Sequence, residues 1–351
     1  MLTIDGSQGE GGGQILRTSL ALSVATKTPI QIINIRSKRP QPGLKPQHYT
    51  VASLLKKLSN AETKGLEIGS TSLFFSPQMV QEGKYEIDIG TAGSIVLVLQ
   101  SVLLSTLHIL KPVSLLVHGG TDVKWAPSWD YFHSVFLPVL QKMGVDVSVR
   151  LLKRGYYPKG GGCVEMRIAP LLNELQPFEY IDPYPISQVQ GIIYLSGLPD
   201  HIAKRMKHVV LKELLKENIH ALIHTEKCAA DSAGVGITLW PSSDTRFLGS
   251  IGLGEKGVPA EKIASLVVKE LVKDIRSSAT VDQFLCDQIL PFCCFSSHAS
   301  QYQVRVMSSH ADTNRNIVNM FDLPNKCHVF SLMDGGFRVA CSANIQGEKH
   351  Q

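Results

Sequence analysis

The sequence predicts an α/β (α+β) fold in which three or more copies of a βαβαββ unit form a large domain, with a small α/β domain inserted into it. Residues 1–77 and 84–170 show the same order of predicted strands and helices, at a period of about 80 residues, and residues 281–341 repeat part of that order. The chain of 351 residues is 44% hydrophobic and 19% charged, which is typical of a globular protein of about two domains.

The first copy combines short strands with two helices whose apolar residues recur at helical spacing. A glycine-rich turn joins its first strand to its first helix, and a basic loop joins its second strand to its second helix. The predicted elements, in order, are a strand at 2–5, a helix at 15–25, a strand at 30–35, a helix at 48–58, and strands at 62–65 and 72–75.

The second copy contains a stretch of 22 residues, 89–110, without Asp, Glu, Lys or Arg. This length approaches that of a membrane span, but polar residues within the stretch and the Lys111-Pro112 pair that follows favour a buried helix. The predicted elements are a strand at 85–89, a turn at 91–94 that leads into a helix ending at 110, a strand at 113–118, a helix at 129–143, and strands at 145–151 and 162–168.

The third copy is split by the insertion. Its predicted elements are a helix at 281–294, a strand at 303–307, a helix at 313–321, and a closing hairpin of 327–332 with 337–341 across Asp334-Gly335-Gly336. The insertion is predicted to contain strands at 190–196, 237–240 and 247–253 and helices at 203–216 and 259–276. We therefore expect a discontinuous large domain at 1–183 and 279–345, and a small domain at 184–278.

The net charge of +5 is unevenly distributed along the chain. Residues 1–64 hold nine Lys and Arg against three Asp and Glu, which gives +6 and leaves −1 for the other 287 residues. This local excess indicates an anionic ligand, with nucleic acid or nucleotide as leading candidates. The seven cysteines include no C-x-x-C pair, which predicts reduced, mostly buried thiols. No export signal is evident, so we expect an intracellular, cytoplasmic location, or a nuclear one in a eukaryote.

Two loops of the first copy contain residues suited to phosphate binding. In Gly6–Gln14, glycines permit close backbone approach, and the helix N-terminus that follows favours an anion. A tight turn without a ligand also explains these glycines, but Glu10 beside a phosphate would need a divalent cation to neutralise the repulsion. The segment Arg36–His48 contains three prolines that predict a stiff, extended loop, which is either a phosphate cradle or a solvated basic loop.

Two segments of the third copy carry further candidate residues. Phe284, Asp287 and Gln288 share one helix face at spacing i, i+3, i+4, which suits stacking on and hydrogen bonding to an adenine or ribose. A phenylalanine at such a position is also typical of a core. His310 lies between a predicted strand and a predicted helix, at a sheet rim where sites tend to occur. Twelve histidines are present, so chemistry alone does not single out His310.

Together these segments resemble the RNA 3′-terminal phosphate cyclase family over essentially the whole chain. The motifs occur in the family's order and are G-x-x-x-E-G-G-G-Q-I-L-R (6–17), I-R-x-x-R-x-x-P-G-L-x-x-Q-H (35–48), T-A-G-S (91–94) with Gln100, H-G-G-T-D (118–122) with Ala126-Pro127, R-G-Y-Y-P-K-G-G-G (154–162), D-Q (287–288) and S-H-x-x-T-N (309–314). The resemblance implies repeated βαβαββ units with an inserted domain, in agreement with the repeat pattern.

The resemblance also implies an ATP-dependent reaction. His310 attacks the α-phosphorus of ATP and releases pyrophosphate, the resulting histidinyl-AMP adenylylates an RNA 3′-phosphate, and the neighbouring 2′-OH closes a 2′,3′-cyclic phosphate with loss of AMP. The implied sites are Glu10 for Mg²⁺ or Mn²⁺; Arg17, Arg36, Arg39 and Gln47 for phosphates of ATP or RNA; and Gln100, Pro127, Phe284, Asp287 and Gln288 for ATP. Phe284 stands where the family more often has Tyr.

The expected partner is RNA with a 3′-phosphate end, no membrane is expected, and the sequence leaves the oligomeric state open. Two alternatives share the repeat fold. Cyclase-like RNA-binding proteins of ribosome assembly lack the nucleophile, and His310 within its motif argues against them. Enolpyruvyl transferases would not explain the residues on the adenine side together with a nucleophilic histidine.

Overall fold

Three four-stranded sheets of the computed structural model, which describes residues 1–343, share one topology. In each sheet the first strand pairs in parallel with the second, and the other two strands add antiparallel in the order 1-2-4-3. A βαβαββ unit produces this arrangement, so the predicted fold class is confirmed. The predicted end of the large domain at residue 345 lies outside the described residues.

The first repeat follows the predicted order of elements. These are β1 (Leu2–Asp5), α1 (Gly13–Thr26), β2 (Ile30–Ile33), α2 (Pro46–Ser59), β3 (Glu62–Lys64) and β4 (Leu73–Ser76). Helix α2 begins two residues earlier than predicted because proline is well suited to the first position of a helix. The predicted extended form of the basic loop is wrong. Backbone bonds from Ser37 to Asn34 and from Arg39 to Arg36 fold it into turns.

The second repeat contains the uncharged stretch as a buried helix, as predicted. Its elements are β5 (Gly83–Asp88), α3 (Ile95–Ser105), β6 (Val113–Gly119), α4 (Trp129–Tyr131), a π-helical turn (Phe132–Phe136), α5 (Leu137–Lys142), β7 (Val147–Lys153) and β8 (Gly162–Ile168). Helix α3 ends five residues before Leu110, where the Thr106 hydroxyl bonds back to the Val102 carbonyl. Among the described residues, no helix is both long and apolar enough to cross a membrane.

A fourth sheet, of order β11-β10-β12-β13, forms after the two-residue strand β9 (Glu179–Tyr180). Its elements are β10 (Gln188–Ser196), α6 (His201–Lys216), β11 (His220–Lys227), β12 (Gly234–Pro241), β13 (Ser250–Leu253) and α7 (Ala260–Ile275). Strand β11 was not predicted, because as an edge strand it is mostly polar and exposed. These elements enclose their own hydrophobic cluster. The domain limits at 184 and 278 stay a prediction.

The third repeat resumes with α8 (Gln283–Phe295), β14 (Ser300–Val304), α9 (Ser309–Met320), β15 (Lys326–Ser331) and β16 (Phe337–Ser342). Strand β9, which the sequence did not predict, opens this repeat by pairing in parallel with β14. The strand predicted at 303–307 ends at Val304, and the helix predicted from 313 begins at Ser309. The earlier start has a clear cause, since the Ser308 hydroxyl accepts a bond from the Ala311 amide and caps the helix.

Helices of all three repeats pack against one another in a common core. Helix α1 contacts α3 and α9, and α8 contacts α3 and α9. The buried apolar side chains of the three repeats form one continuous cluster. All seven cysteines are free thiols and five of them are buried, in agreement with the sequence analysis.

Arg154 joins the second repeat to the inserted sheet through a buried charge cluster. Its guanidinium bonds to Asp130 at 2.8 and 3.1 Å and to Asp122 at 3.3 Å, both in the second repeat. On the inserted side it bonds to Glu226 at 3.0 Å and lies 4.0 Å from the centre of the Tyr194 ring. The Arg154 side chain is only 2% exposed, so this charge depends on its partners for compensation.

Candidate active site

Two cavities lie side by side where the helices of the three repeats meet, and His310 lines both. The first, which we call the apolar pocket, has a volume of about 450 Å³, and its walls include Leu97, Leu104 and Phe292. The second, which we call the charged cleft, has a volume of about 1160 Å³. The apolar pocket is lined by the predicted ATP residues Gln100, Pro127, Phe284, Asp287 and Gln288, and the charged cleft by Glu10, Arg17, Arg36, Arg39 and Gln47.

His310 is the second residue of α9 and is half exposed between two carboxylates. Its Nε2 atom lies 3.6 Å from Glu10, and its Nδ1 atom lies 3.6 Å from Asp287. The Gln14 side chain donates to the His310 carbonyl at 3.1 Å and to the Asp287 carboxylate at 3.2 Å. The imidazole is therefore positioned by the glycine loop and α1 of the first repeat and by α8 of the third.

Asp287 can change its protonation state near neutral pH. Burial raises the pKa of its carboxyl to about 8, the charge of Asp282 adds to this rise, and Arg17 opposes it. Burial also lowers the pKa of Arg17 to about 10, although the Asp287 charge acts in the other direction. The group facing His310 Nδ1 can thus carry a proton in one state of the site and a negative charge in another.

Glu10 remains ionised because its neighbours favour the carboxylate. The Ser309 hydroxyl donates to it at 2.6 Å, and this bond, together with the charges of His310 and Arg39, lowers the pKa of Glu10. The glycine loop reaches α9 closely at Gly9, where φ is +54° and an added Cβ would lie 2.3 Å from the Thr313 hydroxyl. A glycine is therefore required there to bring Glu10 to His310.

The basic loop and the start of α2 bury three donor atoms that have no partner. Arg36 Nε, Arg39 Nε and Gln47 Nε2 are inaccessible to solvent and make no hydrogen bond to any described residue. Arg36 also adopts a left-handed backbone, with φ of +57°, which is strained for a residue other than glycine. Buried donors are normally satisfied, so three such donors in one cleft indicate an anion-binding site.

His48 packs behind these donors and stays neutral. Burial lowers the pKa of its imidazole to about 3, with smaller effects from Arg17, Arg36 and Lys45. Its Nδ1 atom accepts a bond from the Lys45 amide at 3.2 Å, and its ring leaves no room for a side chain at Gly13. A neutral ring adds no charge to the cleft, so the positive charge there comes from the arginine and lysine side chains that line it.

The apolar pocket combines exposed apolar surfaces with one pair of amides. Phe284 is 49% exposed and lines the pocket instead of the core. The Gln100 side chain, from α3, donates to the Gln288 side chain of α8 at 2.6 Å. Asp282 fixes the start of α8 by accepting bonds from the amides of Phe284 and Leu285. Such walls suit a planar base with polar edges.

Comparison with known proteins identifies the family of the chain. The family profile described as RNA 3′-terminal phosphate cyclase matches residues 8–324. The chain belongs to this family. Proteins named RNA 3′-terminal phosphate cyclase from Pyrococcus abyssi and Archaeoglobus fulgidus are 42% and 41% identical to it, over 323 and 321 residues. These alignments cover 92% of this chain and 93% and 95% of the respective relatives.

Three residues at the cavities of this cyclase-family chain had no role in the sequence analysis. Gln14 links His310 to Asp287, Ser309 holds Glu10, and Trp125 lines both cavities. Gln14 and Ser309 lie inside the quoted motifs, so their position next to Glu10 and His310 was the available signal. For Trp125, the signal was an indole in a loop rich in glycine and polar residues.

Proposed function

We propose that this chain converts the 3′-terminal phosphate of RNA to a 2′,3′-cyclic phosphodiester, using ATP and passing through a covalent histidinyl-AMP and an RNA-adenylate. The observation that carries the proposal is the position of His310, half exposed and lining both cavities. A nucleophile there can react with a nucleotide in the apolar pocket and then transfer the adenylyl group to an anion in the charged cleft. The name of the relatives supports the substrate class.

In the first step, His310 Nε2 forms a bond to the α-phosphorus of ATP and pyrophosphate leaves. Asp287 faces Nδ1 and so directs the other ring nitrogen toward the cleft. The ring gains positive charge as the bond forms, and the carboxylate form of Asp287, which faces Nδ1, offsets this charge without any further proton transfer. The phosphoramidate that results is reactive enough to pass AMP onward.

The apolar pocket would hold the adenosine of ATP. Phe284 and Pro127 provide apolar surfaces for the base, and the paired amides of Gln100 and Gln288 provide donors and acceptors for its edge. Phe284 retains the stacking surface of the more usual tyrosine without its hydroxyl.

Glu10 fits a divalent cation only together with phosphate oxygens from the substrate. Within residues 1–343, no group of three or more His, Cys, Asp or Glu side chains is arranged to hold a metal. Mg²⁺ commonly uses one or two carboxylates plus substrate phosphates, and a single ionised carboxylate at the cleft meets that need. Such an ion, Mg²⁺ or Mn²⁺, would offset the negative charge of the triphosphate beside Glu10.

In the second step, an oxygen of the RNA 3′-phosphate attacks the phosphorus of the histidinyl-AMP, and neutral His310 leaves. Arg36, Arg39 and Gln47 offer the unpaired donors for that phosphate. In the third step, the 2′-oxygen attacks the 3′-phosphorus, the hydroxyl proton is released, and AMP leaves. The two reacting groups belong to one ribose, so proximity supplies much of the acceleration.

The decisive experiment is labelling of the protein with ATP that carries a labelled α-phosphate, in the presence of magnesium. We expect an acid-labile, base-stable adduct on the wild type and none on His310→Ala. His201→Ala is the matched control, because His201 is an exposed histidine at the start of another helix. Label that persists in His310→Ala would exclude this residue as nucleophile. A wild type that binds RNA but takes no label would favour an RNA-binding protein without catalysis.

A second substrate separates the later steps. An RNA whose terminal sugar carries a 3′-phosphate and a 2′-O-methyl group should accept the adenylyl group and then stop, because cyclisation needs the free 2′-hydroxyl. Gel analysis of end-labelled RNA should show a slower band that depends on ATP and His310. Absence of this band with an RNA that demonstrably binds would contradict the order of steps.

A further inference from the structure

Trp125 exposes its indole ring at the wall of the charged cleft. The residue is 96% exposed, although tryptophan normally buries a large apolar area in a folded protein. Its backbone is left-handed, with φ of +68°, which is strained for a residue with a side chain. Large exposed apolar groups and strained residues concentrate at binding sites, and here both occur in one residue that lines both cavities.

The loop that carries Trp125 is held in place on both sides of it. Lys124 forms an ion pair at 2.9 Å with Glu255, in the loop that follows β13 of the inserted sheet. Ser128 bonds to Thr238 of β12 at 2.9 Å and also caps α4. The exposure of the indole is therefore a property of a fixed loop.

The surroundings of Trp125 suit a single-stranded nucleic acid. Tyr157, which is 76% exposed, and Lys256 of the inserted segment line the same cleft. Arg36 and Arg39, with their unpaired donors, line it as well. Exposed aromatic rings interspersed with cations form the platforms on which proteins stack unpaired bases while binding the backbone.

We propose that Trp125 stacks on the base of the 3′-terminal nucleoside of the RNA while the 3′-phosphate occupies the donors of Arg36, Arg39 and Gln47. This inference rests on the proposed function, because it assigns a subsite to the same substrate. Stacking requires only the face of a base, so all four bases are accepted and purines, which have the larger face, bind more tightly.

The test compares two RNAs that differ only in the terminal base. One is a hexamer with a terminal adenosine 3′-phosphate, and the other has an abasic ribose in its place with the 2′-hydroxyl and 3′-phosphate retained. At saturating ATP, we expect the KM of the wild type to be about tenfold higher for the abasic RNA. Trp125→Ala should give the same KM for both RNAs, and Trp125→Phe should restore most of the difference.

Tyr184→Ala is the matched control, since Tyr184 is an exposed aromatic residue, 66% accessible, that lines neither cavity. It should keep the wild-type ratio of the two KM values. Any effect of Trp125→Ala on ATP binding cancels in that ratio. The same ratio in Trp125→Ala as in the wild type would overturn the proposal.

Fluorescence anisotropy without ATP measures the dissociation constants of the two RNAs. Their ratio provides the same comparison for a variant that does not catalyse the reaction. It also separates this proposal from the proposed function. If the proposed reaction were wrong, the wild type would take no label from ATP and cyclise neither RNA, yet the two binding constants would still test stacking on Trp125.

Discussion

The first helices of the three repeats begin differently, although the repeats share one topology. Helix α1 starts after Gly12 and has no side-chain cap, whereas Ser94 caps α3 and Asp282 caps α8. An uncapped start leaves backbone N–H groups free for an anion. The first repeat also carries the excess of positive charge and the unpaired donors of the basic loop. The first helix is thus capped by a side chain in the second and third repeats and uncapped in the first. We call the first repeat open for this reason.

The second helices extend this comparison. Gln47 lies at the start of α2, Pro127 lies just before α4, and His310 lies at the start of α9, and all three line the cavities. The start of the second helix in each repeat therefore faces one site, with an amide, an apolar ring and a nucleophile respectively. The repetition explains how one site collects groups that are far apart in the sequence.

The largest effect on the reaction should come from disturbing the contact between the glycine loop of the first repeat and α9 of the third at Gly9. In Gly9→Ala, the new methyl group would meet the Thr313 hydroxyl, and the positive φ is strained for a residue with a side chain, so we expect the loop to shift and carry Glu10 away from His310. We expect self-adenylylation to slow about a hundredfold, as is usual when a catalytic group is misplaced by ~1 Å.

Thr313→Ala in the same chain should restore part of that rate, because it removes the close atom. Gly335→Ala is the control for backbone strain alone, since Gly335 also has a positive φ but open space around it. Equal rates for Gly9→Ala and the wild type would show that the close approach is unimportant.

Removal of a cation from the open repeat should weaken phosphate binding. For Arg36→Ala and Arg39→Ala we expect the KM for RNA 3′-phosphate to rise by a factor that corresponds to about 1.5–3 kcal/mol, the scale of a charge-assisted hydrogen bond. Steady-state kinetics provide the measurement, and the exposed Arg205 of α6, changed to Ala, is the control. Unchanged kinetics in both variants would make the segment an ordinary solvated loop.

A side-chain cap on α1 should change stability and activity in opposite directions. In Gly12→Asp, the carboxylate can cap α1 as Asp282 caps α8, and the space at Gly12 permits a side chain. We expect a gain of only about 0.3 kcal/mol in the free energy of unfolding, since glycine is itself a tolerated N-cap. We also expect at least a tenfold rise in the KM for ATP, since a carboxylate would occupy the anion site. Thermal denaturation and kinetics measure the two effects. The control Gly12→Ala adds no charge and is a poorer N-cap, so it should leave the KM for ATP unchanged and lower the free energy of unfolding.

A separate effect, on stability and not on the reaction, concerns Asp287 in the third repeat. Its pKa is about 8 in the folded chain and ~3.9 when unfolded, so the folded state binds the proton more tightly. Stability from this group is complete below pH ~4 and is lost as pH rises to about 8. Asp287→Asn lacks this loss, so its melting temperature should improve relative to the wild type between pH 5 and pH 9. A difference independent of pH would contradict the raised pKa.

Periodicity in the sequence was enough to predict the repeats, because each repeat encloses apolar residues at helical or strand spacing. Elements without such residues were missed. Strand β9 has only two residues, and edge strand β11 is largely polar. Strand β9 forms by pairing with β14, and β11 forms by pairing with β10. A local sequence pattern does not predict such pairing between separate segments.

For the site too, the residues could be predicted from local sequence, whereas features that depend on contacts between distant segments could not. The family resemblance implied ten site residues besides His310, and all ten line the two adjoining cavities. Their roles stay a prediction. The prolines of the basic loop suggested an extended chain, but the left-handed Arg36 and two backbone bonds turn it. The exposure of Trp125 depends on contacts with the inserted segment, so local sequence could not predict it.

The Arg154 cluster has a consequence for how the protein responds to ionic strength. Mobile ions weaken exposed charges beyond a screening distance of ~10 Å at 0.1 M salt, but they act much less on a side chain that is 2% exposed. Phosphate contacts at the open cleft should therefore weaken steeply with added salt, while the attachment of the inserted segment at Arg154 persists. A salt titration of RNA binding will consequently measure release of the substrate from an otherwise intact protein.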